Sequence, residues 1–260
     1  FIDRIGRIAG KTPQLISGEE EARLSGLGVM CGMPGVDGVM GDLGGGSLEL
    51  VALSESGLGP WVTLPIGPLR LLTAKRDPKQ AVETAIAGVD WLPRYAGRTF
   101  YPVGGAWRAF ARLHMEYKKY PLHIIHHYTV PGDEARDWAR FIAAQSPKSL
   151  EKMAGVSRRR TESLPLACVA FERVLAALKP RRVVFSAFGL REGFYFTQLP
   201  DSEKARHPLV AFAEDEGVAW RRFDLSPVEV FDWLTPIFTG ESAGERTLRL
   251  AACHISDIAW

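Results

Sequence analysis

The sequence predicts a mixed α/β domain followed by an all-α segment. Three observations carry that expectation. Up to about residue 196, short apolar, β-rich runs alternate with runs of helical period. Glycine clusters sit at the ends of strand-type runs, in GDLGGGSLELV (41–51) and VGGAW (103–107). After GLREGFYF (189–196) only helical patterns remain, which places a boundary near residue 197. The order before that boundary reads β-β-β-α-β-α-α-β.

Taken in order, Phe1, Ile2, Ile5 and Ile8 share helical spacing. In ISGEEEARL, Ser17 and Glu20 make a capping box that starts a helix, and glycine-rich linkage is expected from there to about residue 37. Residues 38–54 read as strand, glycine turn and strand, with Ser47, Glu49 and Val51 on one face and Leu48, Leu50 and Ala52 on the other. Residues 61–73 offer a third strand interrupted by prolines. Residues 77–92 are helical, with Asp77 as N-cap and Pro78 in the first position. RTFYPVGG (98–105) is a short strand running into glycines, and the helix after it aligns Ala106, Phe110, Leu113 and Tyr117. PLHIIHHYTV (121–130) is β-rich, a helix from Asp133 aligns Ala135, Trp138 and Ile142, residues 163–179 form a strong helix, and 181–189 a buried strand. Beyond the boundary the helices are 202–216, 226–234 with its own capping box, and 242–258.

Composition narrows the function classes. The 260 residues are 46% hydrophobic and 24% charged, with a net charge of +2. That is ordinary for a globular protein and gives no global basic field for nucleic acid. No apolar run is long enough to span a bilayer and no secretory pattern opens the chain, so no membrane partner is expected. Cys31, Cys168 and Cys253 have no metal-type or redox-type spacing and read as thiols of a reducing compartment, which predicts a cytoplasmic protein. The chain opens at Phe1 and stops at Trp260 inside helical patterns, which suggests a piece of a longer protein.

The glycine turn at 44–46 has two readings. A hairpin turn needs one or two residues of positive φ, so a third glycine with Asp42 and Ser47 beside it exceeds the need. Bare backbone amides and a hydroxyl suit a phosphate, and Asp42 suits a hydrated Mg²⁺. The spacing is neither a P-loop nor a dinucleotide fingerprint. VGGAW adds a second glycine pair at a strand-to-helix junction, where a helix start attracts anions.

GDLGGGSLELV resembles the phosphate hairpin of the exopolyphosphatase / guanosine pentaphosphate phosphohydrolase (Ppx/GppA) family, usually DIGGGSTEL. ISGEEEARL, VGGAWRAFARL and GLREGFYF agree in order and spacing. The resemblance implies the actin/sugar-kinase/chaperone ATPase fold, with two ribonuclease-H-like domains clasping substrate. Residues 1–22 would be the tail of a first domain and a connecting helix, 23–196 the second domain, and 197–260 the start of a helical, HD-like domain.

By resemblance, Glu20 is the general base for the attacking water. Its other reading is the helix cap, and Glu19 and Glu21 are adjacent alternatives on other faces. Asp42 would hold metal. Gly44, Gly45, Gly46 and Ser47 would bind phosphate, with Glu49 beside them as a second catalytic carboxylate or else an exposed strand residue. Leu48 replaces the usual Thr and points to the other face. Gly104, Gly105 and Arg108 match the second phosphate loop. Arg191 and Glu192 match an REG motif or make an ion pair. The implied cofactor is Mg²⁺. The implied substrates are inorganic polyphosphate or guanosine pentaphosphate, and a homodimer is possible within the family pattern. A non-catalytic phosphate-binding module is the alternative.

Among the remaining candidates, His123, His126 and His127 read as structural. His254 and Asp257 sit in HISD, where Ser256 occupies the place of the family's histidine. RRR (158–160) and KPRR (179–182) are either solvated faces or a path for polyanions.

Overall fold

The computed structural model describes residues 1–153 and 161–258, so the basic run at 158–160 lies outside the described residues. They divide into two compact units, Phe1–Thr197 and Gln198–Trp260.

In the first unit, helix α1 (Ile2–Ala9) buries none of its residues. Helix α2 (Gly18–Gly32) begins at Ser17, whose hydroxyl accepts from Glu20 N at 3.1 Å. Strands β1 (Gly38–Leu43) and β2 (Leu48–Ser54) form an antiparallel hairpin, and β3 (Gly57–Leu64) extends the meander. Then come α3 (Pro68–Thr73), α4 (Pro78–Ala87), β4 (Thr99–Val103), α5 (Gly105–Lys118), β5 (Thr129–Pro131) and α6 (Gly132–Ala143). The unit ends with α7 (Pro147–Glu151), α8 (Ser163–Leu178), β6 (Arg182–Val184) and α9 (Leu190–Gln198).

The six strands lie in the order β3-β2-β1-β4-β6-β5. β1, β4 and β6 are parallel, and β5 closes the edge antiparallel to β6. The inner strands are buried on both faces, as parallel strands covered by helices must be. One face carries Val39, Leu50, Phe100, Trp107, Phe110 and Phe171, packed with α5, α6 and α8. There Trp107 is fully buried, its Nε1 donating to Ala167 O at 3.0 Å. The other face carries Met40, Val51 and Val103 against Ala22 and Val29 of α2 and its C-cap Met33. The face assignment read from the β2 alternation is the one observed: Leu48 and Leu50 lie on the first face and Val51 on the second.

Several elements differ from the expectation. α2 continues through Gly26, Gly28 and Gly32, where linkage is expected, because those glycines serve packing. A Cβ on Gly28 would stand 2.0 Å from Gly189 O, and one on Gly193 of α9 would stand 1.8 Å from Leu24 O. The third strand lies earlier, at Gly57–Leu64, and the proline-rich end becomes α3, since Pro68 suits a helix's first turn. PLHIIHHYTV is irregular until Thr129: His126 stacks on Phe188 at 4.6 Å and its Nε2 lies 3.2 Å from Gly32 O. Tyr117 is exposed at the end of its predicted face and stacks on Trp138. Asp77 caps α4 as expected, its carboxylate accepting from Gln80 N at 3.1 Å.

The second unit is helical among its described residues: α10 (Asp201–Lys204), α11 (Pro208–Trp220), α12 (Pro227–Leu234) and α13 (Ala243–His254). The helix expected over 202–216 breaks at Pro208, which starts α11 instead. Ser226 caps α12 through Glu229 N, and Ser242 with Glu245 completes a capping box on α13. Asp257 is buried and accepts from Arg222 N at 2.9 Å and from Phe223 N, so this carboxylate ties the end of α11 to the HISD segment.

Candidate active site at the glycine hairpin

The site is built where the parallel strands end. Asp42 is the penultimate residue of β1 and lies directly opposite Glu49 in the hairpin register. The strand alternation turns both carboxylates to the α2 face. Across an antiparallel pair, directly opposed residues have Cβ atoms about 5 Å apart, and like charges there repel.

Helix α2 supplies the cover. Glu21, Ser25, Gly28 and Gly32 recur at helical spacing, which places them on one stripe of the helix. The Ser25 hydroxyl donates to Asp42 Oδ2 at 2.7 Å. Glu21 is close enough for the Asp42 charge to raise its pKa, after burial as the larger cause. The small residues of the stripe permit this approach: at Gly28 and Gly193 the two helices α2 and α9 meet backbone to backbone.

Three carboxylates therefore converge. Glu49 is 1% exposed, and neither of its carboxyl oxygens meets a hydrogen bond of normal geometry. Burial pushes it up to about 7; the Ser47 hydroxyl alongside partly offsets this, and the Glu21 and Asp42 charges add to it. Burial also raises Asp42, opposed by the Ser25 hydrogen bond and by the Arg108 guanidinium. A buried, unpartnered carboxylate beside two others is costly unless it is protonated or meets a cation. The donor set is all hard oxygen, which suits Mg²⁺. Among the described residues no three His, Cys, Asp or Glu side chains are arranged to hold a metal ion by themselves. A bound Mg²⁺ would complete its shell with water and phosphate oxygens, as it commonly does.

Glu20 is not part of this group. Its carboxylate is half exposed and paired with Arg23 at 2.7 Å through both oxygens, which holds its pKa low. Glu20, the expected base, is not brought together with Asp42 and Glu49: one residue of helix turns its side chain by about 100°, away from the stripe of Glu21. It also does not close the capping box, since its side chain engages Arg23 and not Ser17. Helical spacing puts Glu21 on one stripe with Ser25, Gly28 and Gly32, but the spacing does not say what that stripe faces.

The hairpin turn answers the question of its glycines. Gly44 N donates to Ser47 O at 3.0 Å, closing the turn. The carbonyls of Gly45 and Gly46 accept from Leu69 N and Gly67 N, which fixes the loop against the start of α3. None of the three glycines has a φ in the left-handed region. A Cβ on Gly46 would meet nothing within 4 Å, and one on Gly44 only ordinary contact. The fold itself does not require glycine at 44 or 46. The amides of Gly45, Gly46 and Ser47 donate to no described protein group. Bare backbone and free donors are what an approaching oxyanion needs.

The second loop lies alongside. Val103 pairs with Asp42, so Gly104 and Gly105 end β4 next to the hairpin. Gly104 has φ +101°, and a Cβ there would stand 2.6 Å from Leu43 O and 3.1 Å from Asp42 Oδ1. Here glycine is required by the fold. Gly105 opens α5, and Arg108 sits one turn in, its Nε 3.4 Å from Gly104 O.

The remaining motif residues make local contacts. Glu192 Oε2 accepts from Gly189 N at 2.9 Å, capping α9. Arg191 is exposed and lies 3.7 Å from Glu192. Gly189 packs on Val103 and lies near Asp42, so the segment seats α9 behind the site. His126 and His127 both approach Gly32 O, and His123 lies 3.5 Å from Glu116.

The chain is similar in sequence and in fold to known proteins. Residues 1–202 match the family model of the Ppx/GppA phosphatase family. The chain is 26% identical over 191 residues to exopolyphosphatase 2 of Mycobacterium tuberculosis, covering 67% of this chain and 59% of that protein. It is 26% identical over 238 residues to retrograde regulation protein 2 of Saccharomyces cerevisiae, covering 81% of this chain and 40% of that protein. The chain thus spans between about two fifths and three fifths of these relatives. Among solved structures, an exopolyphosphatase from Cytophaga hutchinsonii superposes with TM-score 0.66 at 20% identity, covering 76% of this chain and 68% of that one. An Aquifex aeolicus Ppx/GppA phosphatase gives TM-score 0.59 at 23% identity, covering 76% and 69%. The six-stranded sheet and its helices are thus the actin-like, ribonuclease-H-type fold, and this chain belongs to the Ppx/GppA phosphatase family.

Proposed function

We propose that these residues form one wall of a phosphoanhydride hydrolase site that releases terminal phosphate from inorganic polyphosphate. The observation that carries the reading is the convergence of Glu21, Asp42 and Glu49 beside a hairpin whose glycines at 44 and 46 the fold does not itself require. Family membership and the similarity to an exopolyphosphatase support the substrate class.

In this reading the amides of Gly45, Gly46 and Ser47 and the Ser47 hydroxyl bind phosphate oxygens. Gly104, Gly105 and Arg108 offer a second contact along the chain. Asp42 and Glu49 would hold Mg²⁺, which supplies charge neutralisation to the phosphoryl group. Glu21 orients a water and accepts its proton; burial and the Asp42 charge raise its proton affinity toward that role. Glu20 stays on the helix surface. Guanosine pentaphosphate presents the same phosphoanhydride end and is the alternative substrate. The family resemblance implies a second, facing domain, so the 260 residues alone are expected to bind a phosphate chain without efficient turnover.

The test is calorimetric binding of tripolyphosphate in Mg²⁺ together with phosphate release by the same chain. Binding that weakens at least tenfold in Gly46→Val, with turnover near background, supports the reading. Absence of binding overturns it. Robust turnover overturns the single-wall part.

A further inference from the structure

The basic run KPRR (179–182) is not used by the hairpin chemistry. Its arginines lie at the other end of the sheet. β1, β4 and β6 run parallel, with Gly38, Thr99 and Arg182 near their starting ends and Asp42 and Val103 at their finishing ends. The four steps of β1 from Gly38 to Asp42 put roughly 13 Å between the two ends.

At the starting end, Arg98, Arg181 and Arg182 line a cavity of about 370 Å³ with Asp37, Thr99 and Tyr101. Arg98 is paired with Asp37 at 2.6 Å. Arg182 Nε donates only to the neutral Thr99 Oγ1, at 3.3 Å. The Arg181 side chain has no hydrogen bond or ion pair to any described residue. Among the lining side chains three guanidiniums face one carboxylate, an excess of two positive charges, with the Glu55 carboxylate beside Gly35 as a further acidic neighbour. The Tyr101 hydroxyl accepts from Asp37 N at 3.2 Å, which leaves its own proton free to donate. A solvated basic face would be convex; here the charges converge on a concavity large enough for a small ligand. Guanidinium forks match tetrahedral oxyanions in geometry as well as in charge.

We propose that this cavity is a second anion site, remote from the hairpin, which takes a di- or triphosphate chain without a divalent cation. Its charge is already positive, whereas the hairpin cluster is acidic and needs a cation first. The inference is independent of the proposed hydrolysis.

Removing divalent ions therefore separates the two sites. The 260-residue chain, ¹⁵N-labelled, is titrated with tripolyphosphate in EDTA. Saturable amide shifts are expected at Gly35, Gly97 and Thr99, without shifts at Gly44, Gly45 and Gly46. The Arg181→Ala/Arg182→Ala variant should bind at least tenfold more weakly at an unchanged thermal midpoint, while Asp42→Asn binds as the wild type does. Shifts confined to the hairpin, no shifts, or unchanged affinity in the double variant overturn the proposal. So does sulfate displacing tripolyphosphate at equal concentration, which would mark a charged patch without preference for phosphate chains. The wild-type shift map stands whether or not the double variant folds.

Discussion

At residues 20 and 21, one step along a helix separates a carboxylate held by Arg23 from one facing two other carboxylates. In a form of the polypeptide that turns over polyphosphate, Glu21→Ala is expected to lower kcat by about 10²–10⁴, the usual worth of a positioned general base. Glu20→Ala should stay within about twofold, because an exposed pair to Arg23 contributes little. Phosphate-release kinetics on both variants checks this; equal losses would remove the distinction. Glu49 gives a stability test in the metal-free chain. Its folded pKa, about 7, lies above the ordinary carboxylate value of 4.5. Between those values the unfolded chain releases a proton that the folded chain keeps, so stability falls as pH rises from about 4.5 to 7. Glu49→Gln should remove that fall and stabilise the protein above pH 7 by up to about 3 kcal/mol. Thermal midpoints in EDTA across pH 4.5–8 measure it, and parallel curves for the two proteins would contradict it. Gly46→Ala is the complementary case: stability unchanged or raised by about 0.5 kcal/mol, with phosphate-chain binding lost.

At the scale of elements, α2 is the hinge of the site, since it brings Glu21 and Ser25 over the hairpin. Its glycines were legible in sequence only as breaks. In the structure they are the reason two helices can meet: Gly28 faces Gly189 O and Gly193 faces Leu24 O. Gly28→Ala is expected to cost about 1–3 kcal/mol as an overpacked contact against backbone, read as a lowered thermal or urea midpoint, and to weaken the site as α2 moves off. An unaltered midpoint would show that α9 shifts freely. The β1–β2 hairpin behaves differently. Its alternation was readable from GDLGGGSLELV, because a period of two survives without tertiary context. The segment 121–130 was not readable: its β-rich composition is overridden by packing of His126 on Phe188.

At the scale of the molecule, the sheet order places two loops of glycine at the finishing ends of β1 and β4 and the arginine cavity at the starting ends. The proposed hydrolytic site is the one at the carboxyl ends of the parallel strands, where ligand sites in open α/β sheets lie. The family match covers residues 1–202, close to the end of the first compact unit at Thr197. Residues 1–200 expressed alone are expected to unfold cooperatively and to retain the near-ultraviolet dichroism of the buried aromatic cluster. A broad, non-cooperative melt would show that the first unit requires the second.

The sequence by itself determined the alternation of strands and helices, the caps at Ser17, Asp77 and Ser226, and the glycine hairpin with Glu49 and Val51 on one face of its second strand. These depend on spacing along the chain, and spacing is what a sequence records. It also carried the family, through four ordered motifs. Tertiary structure alone decided which glutamate of the EEE run faces the cluster, that Gly44 and Gly46 are not needed by the turn, that Glu192 caps a helix, and that the KPRR arginines border a cavity. The Glu192 cap and the bare turn rest on backbone geometry that the residue types alone do not specify. The placing of Glu21 and of the arginines rests on contacts between residues far apart in the chain: Ser25 with Asp42, Gly28 with Gly189, Arg182 with Thr99. The energy of such contacts depends on distance and burial, which appear only when the sheet brings the strands side by side.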